Sequence, residues 1–167
     1  MKRLIVINGV MGVGKSTTAR ALCDLLQPSF FLDGDWCWSM SPFNPTEADK
    51  RMVLDNIAHL LRSFLLSDRP YVVFCWVLHE DAIWSSIATE LEGVEFETYR
   101  FTLTATPETL SKRLARDVAA GIRDARAIDR SIARLPQFSR LSTRKLDVSQ
   151  IGSGEAARQI AAAISEP

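Results

Sequence analysis

Residues 9–16 read Gly9-Val10-Met11-Gly12-Val13-Gly14-Lys15-Ser16, and this stretch decides the fold. It matches the pattern G-x-x-x-x-G-K-[ST], which is typical of a loop that wraps phosphate groups. In such a loop, glycines let successive backbone N–H groups turn toward an anion, and the positive end of the following helix faces the same anion. The alternative is a glycine-rich turn that only ends a strand and precedes a surface lysine.

The sequence on either side of the loop supports the first interpretation. Residues 4–7 form a continuous run of branched apolar residues, which is typical of a strand buried on both faces of a parallel sheet. From Lys15 to Leu26 the apolar residues recur at helical spacing. The predicted order is therefore strand, tight loop and helix, as a phosphate loop requires.

The rest of the chain alternates between strand-like and helix-like segments. Further strands are predicted at 30–32, 71–77, 96–103 and 145–148, and helices at 47–66, from 107 onward and at 154–164. Thr46 is expected to cap the helix at 47–66. Alternation of this kind predicts an α/β fold with a parallel sheet, helices on both faces and a ligand at the carboxyl ends of the strands.

Length, charge and cysteine content restrict the class of protein. The 167 residues predict a single domain spanning 1–167. Lys plus Arg equal Asp plus Glu at 20 each, so neither nucleic acid nor a membrane surface is an expected partner. The three cysteines lack the spacing of metal or redox motifs, and Asn8-Gly9 ends the first apolar run too early for a signal or membrane segment. We expect a cytoplasmic protein with a small-molecule partner; the sequence does not indicate an oligomeric state.

The phosphate loop assigns a first set of site residues. The backbone of Gly9, Gly12, Val13 and Gly14 is expected to surround the phosphates of ATP. Lys15 is expected to reach the β- and γ-phosphates, and the Ser16 hydroxyl is expected to bind Mg²⁺. Thr17 is the next donor, toward the α-phosphate.

Asp33-Gly34-Asp35 follows the second predicted strand, close to where the γ-phosphate would lie. In an extended chain the two carboxylates would point the same way. One of them could hold magnesium through water while the other accepts the proton of an attacking hydroxyl. The alternative is a plain Asx-type turn, since Asp-Gly-Asp is common in loops. The neighbouring phosphate loop favours the functional interpretation.

Aromatic residues are expected around the acceptor. Trp36, Trp38, Phe43 and Trp76 are expected on the loops that the fold would place around the acceptor, and flat aromatic walls suit a ring-bearing substrate. Each tryptophan could instead serve core packing. His79, just past the third strand, could contact the substrate or simply stand at a helix start.

Arginines are concentrated after the fourth strand. Arg113 and Arg116 follow it on a predicted helix, and Arg123, Arg126 and Arg130 lie in a polar segment that resembles a mobile flap, a lid at about residues 117–130. Arginine can neutralise charge on a transferring phosphate when a lid closes. Interleaved aspartates at 117, 124 and 129 offer the alternative of ion pairs on a helix face. Arg116 and Arg123 are our candidates for catalysis.

Together these motifs make the chain resemble the nucleoside monophosphate kinase-like branch of P-loop proteins. It is most similar to that branch's small-molecule kinases: adenylylsulfate, shikimate and gluconate kinases, chloramphenicol phosphotransferase and, from about residue 101, tunicamycin-resistance ATP-binding proteins. The resemblance implies a three-layer P-loop NTPase fold with five strands in the order 2-3-1-4-5. It also implies Mg²⁺ linked to Ser16 and Asp33, Asp35 as the residue that orients or deprotonates the acceptor, Arg113 near adenine and Ser149 at the adenine edge.

One departure from the wider class concerns the third strand. Many P-loop enzymes end it in a magnesium-binding aspartate, whereas residues 74–78 contain no carboxylate. Asp33 is the candidate replacement. The expected activity is ATP-dependent transfer of the γ-phosphoryl group to a hydroxyl of a small molecule, with nucleoside-like compounds and antibiotics among the candidates. The alternatives are a nucleotide kinase, for which only Lys50 and Arg51 are near the acceptor, and a non-catalytic ATP-binding protein of resistance or regulation.

Overall fold

Five parallel strands form the central sheet of the computed structural model, which describes residues 1–165. The strands are β1 (Lys2–Gly9), β2 (Ser29–Asp33), β3 (Tyr71–Trp76), β4 (Phe96–Thr104) and β5 (Arg144–Asp147). Their order is β2-β3-β1-β4-β5, with every neighbouring pair parallel. The predicted fold class and strand order are confirmed. The last two residues of the predicted domain 1–167 lie outside the described residues.

Six α-helices and one short 3₁₀ helix connect the strands within residues 1–165. They are α1 (Lys15–Leu25), the 3₁₀ helix (Gly34–Trp38), α2 (Glu47–Leu65), α3 (Asp81–Glu90), α4 (Pro107–Ala119), α5 (Arg126–Ser139) and α6 (Ser153–Ser165). None of the helices in this part of the chain combines the length and the apolar character needed to cross a membrane.

The sheet is buried on both faces because β1 alternates its side chains between them. Leu4 and Val6 pack with residues of α2 and α3, whereas Ile5 and Ile7 pack with residues of α1, α4, α5 and α6. All four side chains are almost fully buried. The continuous apolar run that predicted a central strand therefore supplies both cores, and the result is the predicted three-layer arrangement.

Two helix starts agree with the sequence signals. Thr46 caps α2 in a reciprocal capping box, in which its hydroxyl accepts from Asp49 N and the Asp49 carboxylate accepts from Thr46 N. Thr106 caps α4, with Pro107 at the first helical position. These caps fix where each helix leaves the sheet.

The predicted lid at about residues 117–130 is more regular than the mobile flap expected from the sequence. Most of its second half is the start of α5, which buries Ala127, Ser131 and Phe138. Small residues fill the buried positions near its start, so the helix carries only a weak apolar pattern in the sequence. The irregular stretch shrinks to residues 120–125, and the lid-like role of 117–130 stays a prediction.

Candidate active site

The site lies where the strands end at one edge of the sheet. Asp33, at the end of β2, is in register with Cys75 of β3, and Ile7 of β1 is in register with the same cysteine. Gly9 ends β1 and continues directly into the phosphate loop. The edge thus brings together the glycine loop, the second-strand carboxylate and the end of β3, as parallel topology requires.

The phosphate loop takes the conformation that its glycines permit. Gly14 is the N-cap of α1 with a left-handed φ of 108°, and Gly12 has φ 83°. A β carbon at Gly12 would lie 2.4 Å from a methyl carbon of Leu114, so only glycine fits against α4. The start of α1 is left open toward the loop, which is the geometry that binds an anion at a helix N-terminus.

Lys15 is folded back over the loop and is only 9% exposed. Its Nζ donates to the carbonyl of Val10 at 3.0 Å. Burial lowers the pKa of this lysine to about 8; the charges of Asp35 and Asp33 oppose that effect, and Arg123 reinforces it. Asp35 and Arg123, which come from different segments, are therefore both close enough to act on the Lys15 charge.

Ser16 and Asp33 are in direct contact. The serine hydroxyl donates to Oδ2 of the aspartate at 2.6 Å, and Asp33 is only 7% exposed. The Cys75 thiol donates to the Ser16 hydroxyl at 3.8 Å, and burial and the Asp33 charge raise the pKa of this thiol to about 12. Cys75, the second-last residue of β3, is thus a neutral thiol, and Asp33 is the carboxylate beside Ser16.

The relation between Asp33 and Asp35 corrects the sequence expectation. The chain is not extended there, because Gly34–Trp38 forms a 3₁₀ helix with Asp33 as its N-cap. Asp33 Oδ1 accepts from the backbone N of Asp35 at 3.1 Å, which is the Asx-type turn of the alternative interpretation. Asp33 is consequently buried against Ser16, while Asp35 is exposed at the surface.

The predicted acceptor residues occupy three kinds of environment. Trp76 is not on a loop as expected: it is the last residue of β3, is buried, and its ring lies against Gly34. Trp38 is half-buried against the α2–α3 core, whereas Trp36 is exposed and meets Phe31 edge-on. His79 is half-exposed beside Glu80 at 3.8 Å. Trp36 is thus the tryptophan that a ligand can reach most easily.

The arginines of α4 and the following segment divide into two groups. Arg123 pairs with Asp117 at 2.9 Å, and Arg130 pairs with Asp124 at 3.1 Å. Arg116 is exposed, and no hydrogen bond of its guanidinium is seen in the part of the chain described. Ion pairs of these residues therefore exist, although each joins a residue of the loop between α4 and α5 to one flanking helix instead of lying on one helix face.

Arg113 connects the phosphate loop to the segment after β5. Its guanidinium donates to the carbonyls of Val13 at 2.9 Å and Val148 at 2.6 Å, with a longer contact to Ile151. It lines a cavity of about 230 Å³ together with Gly14, Thr17 and other residues near the start of α6. This cavity opens beside the predicted α-phosphate donor Thr17.

Ser149 has a local structural role. Its hydroxyl donates to Asp147 Oδ1 at 2.6 Å and accepts from Thr106 N at 2.9 Å. The bonds that Asp147 accepts from the hydroxyl and the backbone N of Ser149 lower the pKa of the Asp147 carboxyl. The side chain ties the β5–α6 loop to the start of α4, at the edge of the cavity that Arg113 lines.

Comparison with known proteins agrees with this geometry. A family model described as "AAA domain" matches residues 5–132. The chain belongs to this family. No curated protein matches the sequence.

Solved structures share the fold of this AAA domain at low identity. A gluconokinase from Sinorhizobium meliloti 1021 superposes with a TM-score of 0.70, at 20% identity over 96% of this chain and 90% of that one. The tunicamycin resistance protein of Deinococcus radiodurans gives 0.69, at 22% identity over 100% and 98%. The Mycobacterium tuberculosis APS kinase gives 0.71, at 16% identity over 99% and 98%. The predicted resemblance to P-loop small-molecule kinases is confirmed at the level of the fold.

Asn8 of this AAA domain is a buried polar residue to which the sequence pattern assigned no role. Its amide accepts from Leu78 N and donates to Leu78 O, both at 2.7 Å, so it fixes the chain after β3 to the residue before the phosphate loop. It also contacts Thr102 Oγ1 at 3.5 Å. The available signal was an asparagine inside an apolar strand pattern, which indicates a satisfied polar group in the core.

Among the described residues, no group of three or more His, Cys, Asp or Glu side chains gathers as a metal site. A cation at this edge would therefore have to be held by few protein ligands. Mg²⁺ is bound in that way at nucleotide sites, through one or two protein oxygens, substrate phosphates and waters. The Ser16 hydroxyl and the Asp33 carboxylate are hard oxygen donors in contact with each other, and they fit such an ion.

Proposed function

We propose that this protein is an ATP:alcohol phosphotransferase, a small-molecule kinase that moves the γ-phosphoryl group of Mg²⁺-ATP to a hydroxyl. The observation that carries the proposal is the 2.6 Å contact between Ser16 and Asp33 beside the buried Lys15. Burial of a lysine and a carboxylate costs free energy because both charged groups leave water. A plain glycine turn does not require that burial. A site for phosphates and a divalent cation explains both.

Each side chain has a specific role in this proposal. Lys15 exchanges its bond to the Val10 carbonyl for the β- and γ-phosphates, and its charge offsets theirs. Ser16 would hold Mg²⁺ and Asp33 would support the ion through water, and the bound ion would neutralise charge on the phosphate oxygens. Asp33 keeps its second oxygen on the Asp35 backbone, which holds the 3₁₀ helix in place.

Asp35 is the proposed base or orienting group for the acceptor. It is exposed, next to Trp36, and close enough to Lys15 to act on its charge. A carboxylate in that position can accept the proton of an attacking hydroxyl. Arg123 also acts on the charge of Lys15, and we assign it to the proposed lid at 117–130, where release from Asp117 would free its guanidinium for phosphate.

The similar solved structures support this class of activity. They are described as a gluconokinase, an APS kinase in complex with AMPPNP and APS, and a shikimate kinase in complex with shikimate. The tunicamycin resistance protein supports a nucleoside-like or antibiotic acceptor as one candidate. A shared fold does not determine the acceptor, which depends on this chain's own residues.

A mass-spectrometric screen tests the proposal. The protein is incubated with ATP, Mg²⁺ and a library of metabolites and antibiotics, and products are searched for the added mass of one phosphate. We expect at least one hydroxyl compound to gain phosphate, and Lys15→Ala to abolish this, while Lys112→Ala on the exposed face of α4 does not. Asp35→Asn should keep ATP binding and lose transfer.

Cys75 favours one rival function, a non-catalytic ATP-binding protein. A neutral thiol stands where a third-strand carboxylate would supply charge for the metal. In that case ATP and the second ligand would bind without reacting. Calorimetric titrations with and without ATP, followed by mass analysis, separate the two functions: tight binding with no mass change in any combination would rule out the kinase.

A further inference from the structure

Asn8 is a buried polar residue at the entrance to the phosphate loop. It stands in β1 directly before Gly9 and is only 2% exposed. Residues 4–7, which precede it, are all apolar, so an apolar residue would continue the pattern of the strand. A buried amide costs free energy unless its donor and its acceptor are both bonded. The partners of the Asn8 amide therefore explain why this strand contains an asparagine.

The Asn8 side chain bonds both backbone polar groups of a single residue, Leu78. Its oxygen accepts from Leu78 N and its nitrogen donates to Leu78 O, each at 2.7 Å. Leu78 lies two residues past the end of β3 and is buried, and its N–H and C=O have no backbone partner within residues 1–165. Buried backbone groups are rarely left unpaired. Asn8 therefore extends the contact between β1 and this segment beyond the last pair of the ladder, Asn8 with Trp76.

The two sides of this contact lead to the two halves of the proposed site. On one side, Gly9 follows Asn8 and opens the phosphate loop. On the other side, Trp76 precedes Leu78 by two residues, and its ring lies against Gly34, the residue between the two aspartates of the 3₁₀ turn. The contact thus fixes the loop that would hold ATP relative to the strand end that supports the acceptor side.

A second branch of the same polar network leads away from the site. Asn8 Nδ2 also donates to Thr102 Oγ1 at 3.5 Å, and Thr102 is the register partner of Asn8 in β4. The hydroxyls of Thr102 and Thr143, in the segment before β5, are 2.6 Å apart. Thr102 is fully buried. A substitution of Thr102 therefore disturbs the same layer of the core and leaves both bonds between Asn8 and Leu78 in place.

We infer that Asn8 is a positioning residue: its two bonds to Leu78 hold the phosphate loop and the end of β3 in one fixed relation and so align ATP with the acceptor. The inference rests on the proposed phosphotransfer and adds a residue that acts through its neighbours instead of meeting the reacting atoms. A small misplacement of either reactant costs a large part of the rate. A loop that is already ordered also binds ATP without the cost of being fixed by the ligand.

Hydrogen exchange of backbone amides tests the positioning in the absence of any substrate. Asn8→Leu keeps the branched shape of the side chain and removes both bonds, and Thr102→Val, which removes a buried hydroxyl from the same layer, is the matched control. Urea unfolding measures the loss of stability in each variant, and mass spectrometry reports the exchange of residues 9–16 and 77–80. We expect exchange at least about tenfold faster in both segments of Asn8→Leu, and exchange close to that of the wild type in Thr102→Val.

Two results of the exchange experiment would overturn the inference. One is unchanged exchange of residues 9–16 in a folded Asn8→Leu protein. The other is equally fast exchange of that loop in Thr102→Val, which would mean that the loop responds to any loss of core stability. If circular dichroism shows that Asn8→Leu does not fold, Asn8→Asp takes its place, because an ionised carboxylate keeps the acceptor for Leu78 N and loses the donor for Leu78 O. The same two results then decide.

Nucleotide binding and turnover connect the contact to the proposed function. Calorimetric titration with Mg²⁺ and a non-hydrolysable ATP analogue should show about tenfold weaker binding for Asn8→Leu and wild-type binding for Thr102→Val. With an acceptor found in the mass-spectrometric screen, kcat at saturating substrates should fall at least about tenfold more in Asn8→Leu than in Thr102→Val. Equal kcat in the two variants would contradict the alignment of ATP with the acceptor.

Failure of the proposed phosphotransfer can be told apart from failure of this inference. If no acceptor gains phosphate with the wild-type protein, the proposed function fails, while exchange and ATP titration still decide whether Asn8 orders the phosphate loop. If the wild type transfers phosphate and Asn8→Leu keeps its kcat, the phosphotransfer stands and the positioning by Asn8 is wrong.

Discussion

The hydroxyl of Ser16 donates to Oδ2 of Asp33 at 2.6 Å, and this bond connects the first turn of α1 to the end of β2. Because no carboxylate stands at the end of β3, the pair is the protein's oxygen donor set for magnesium in our proposal. A substitution of Asp33 is therefore the most direct test of the proposed function.

Asp33→Asn should remove the magnesium-dependent part of ATP binding. Asparagine keeps an oxygen for the Asp35 N–H and so preserves the 3₁₀ cap, while the negative charge is lost. We expect Mg²⁺ to strengthen ATP binding in the wild type and to do so at least about tenfold less in the variant. Calorimetry with and without Mg²⁺ measures this. Asp24→Asn, on the exposed side of α1, is the control.

One result would contradict this role of Asp33 in binding Mg²⁺. If Asp33→Asn and the wild type respond equally to Mg²⁺, Asp33 is a structural cap only, and the ion must be held by other groups.

Arg113→Ala should weaken both stability and nucleotide binding. The guanidinium bridges the carbonyls of Val13 and Val148, so its removal leaves both without this donor and loosens the wall of the 230 Å³ cavity. Charged hydrogen bonds of this kind contribute about 1.5–3 kcal/mol. Urea unfolding measures the loss, and titration with ATP measures the binding.

Arg113→Lys keeps the positive charge and removes the guanidinium geometry. A single ammonium lacks the planar fork that reaches two carbonyls, so lysine should rescue little of either property. Lys112→Ala, on the exposed face of the same helix, should change neither. Full rescue by lysine would show that only the charge at this position matters.

Gly34→Ala should disturb the turn between the two aspartates. A β carbon at Gly34 would lie 2.4 Å from Cγ of the Trp76 ring, so either the ring or the 3₁₀ helix has to move. Overpacking of this kind costs about 1–3 kcal/mol. Urea unfolding measures the cost. Gly152→Ala is the control, since nothing lies within 4 Å of a β carbon there.

A second substitution tests whether the Trp76 ring causes the cost of Gly34→Ala. In a Trp76→Leu background the ring is absent, and Gly34→Ala should then cost clearly less than it does in the wild type. An equal cost in both backgrounds would show that the backbone of Gly34, and not the ring, demands glycine.

The sequence was sufficient where a signal is local and contiguous. The phosphate loop, the buried strand before it and the caps at Thr46 and Thr106 are all written within a few residues, so their structure was predictable. The proximity of Asp33 to Ser16 was also predictable, because parallel strands end at the same sheet edge.

The sequence was insufficient where two local preferences compete. Asp33 could cap a turn or continue a strand, and its bond to Asp35 N decides for the 3₁₀ helix. In α5, the buried positions near its start are the small residues Ala127 and Ser131, which carry no strong apolar pattern. Arg123 lies in the loop between α4 and α5 and pairs with Asp117 of α4, and no helical spacing rule predicts such a pair.

Asp81, the first residue of α3, leads to a prediction about pH. Its carboxylate accepts from the backbone N of Ser142 at 2.9 Å and from the Arg100 guanidinium, and these two bonds lower its pKa. A lowered pKa in the folded state means that the stabilisation is complete above the unfolded pKa of about 3.9 and is lost as the pH falls through the folded value. Asp81→Asn should therefore destabilise the protein at neutral pH, by about 1 kcal/mol because water screens this half-exposed group. The difference in unfolding free energy between the wild type and the variant should shrink below about pH 4.

Urea unfolding at a series of pH values measures this difference, with Asp68→Asn at an exposed position as the control. A gap that stays constant down to the lowest pH at which both proteins fold would show that the Asp81 charge contributes nothing.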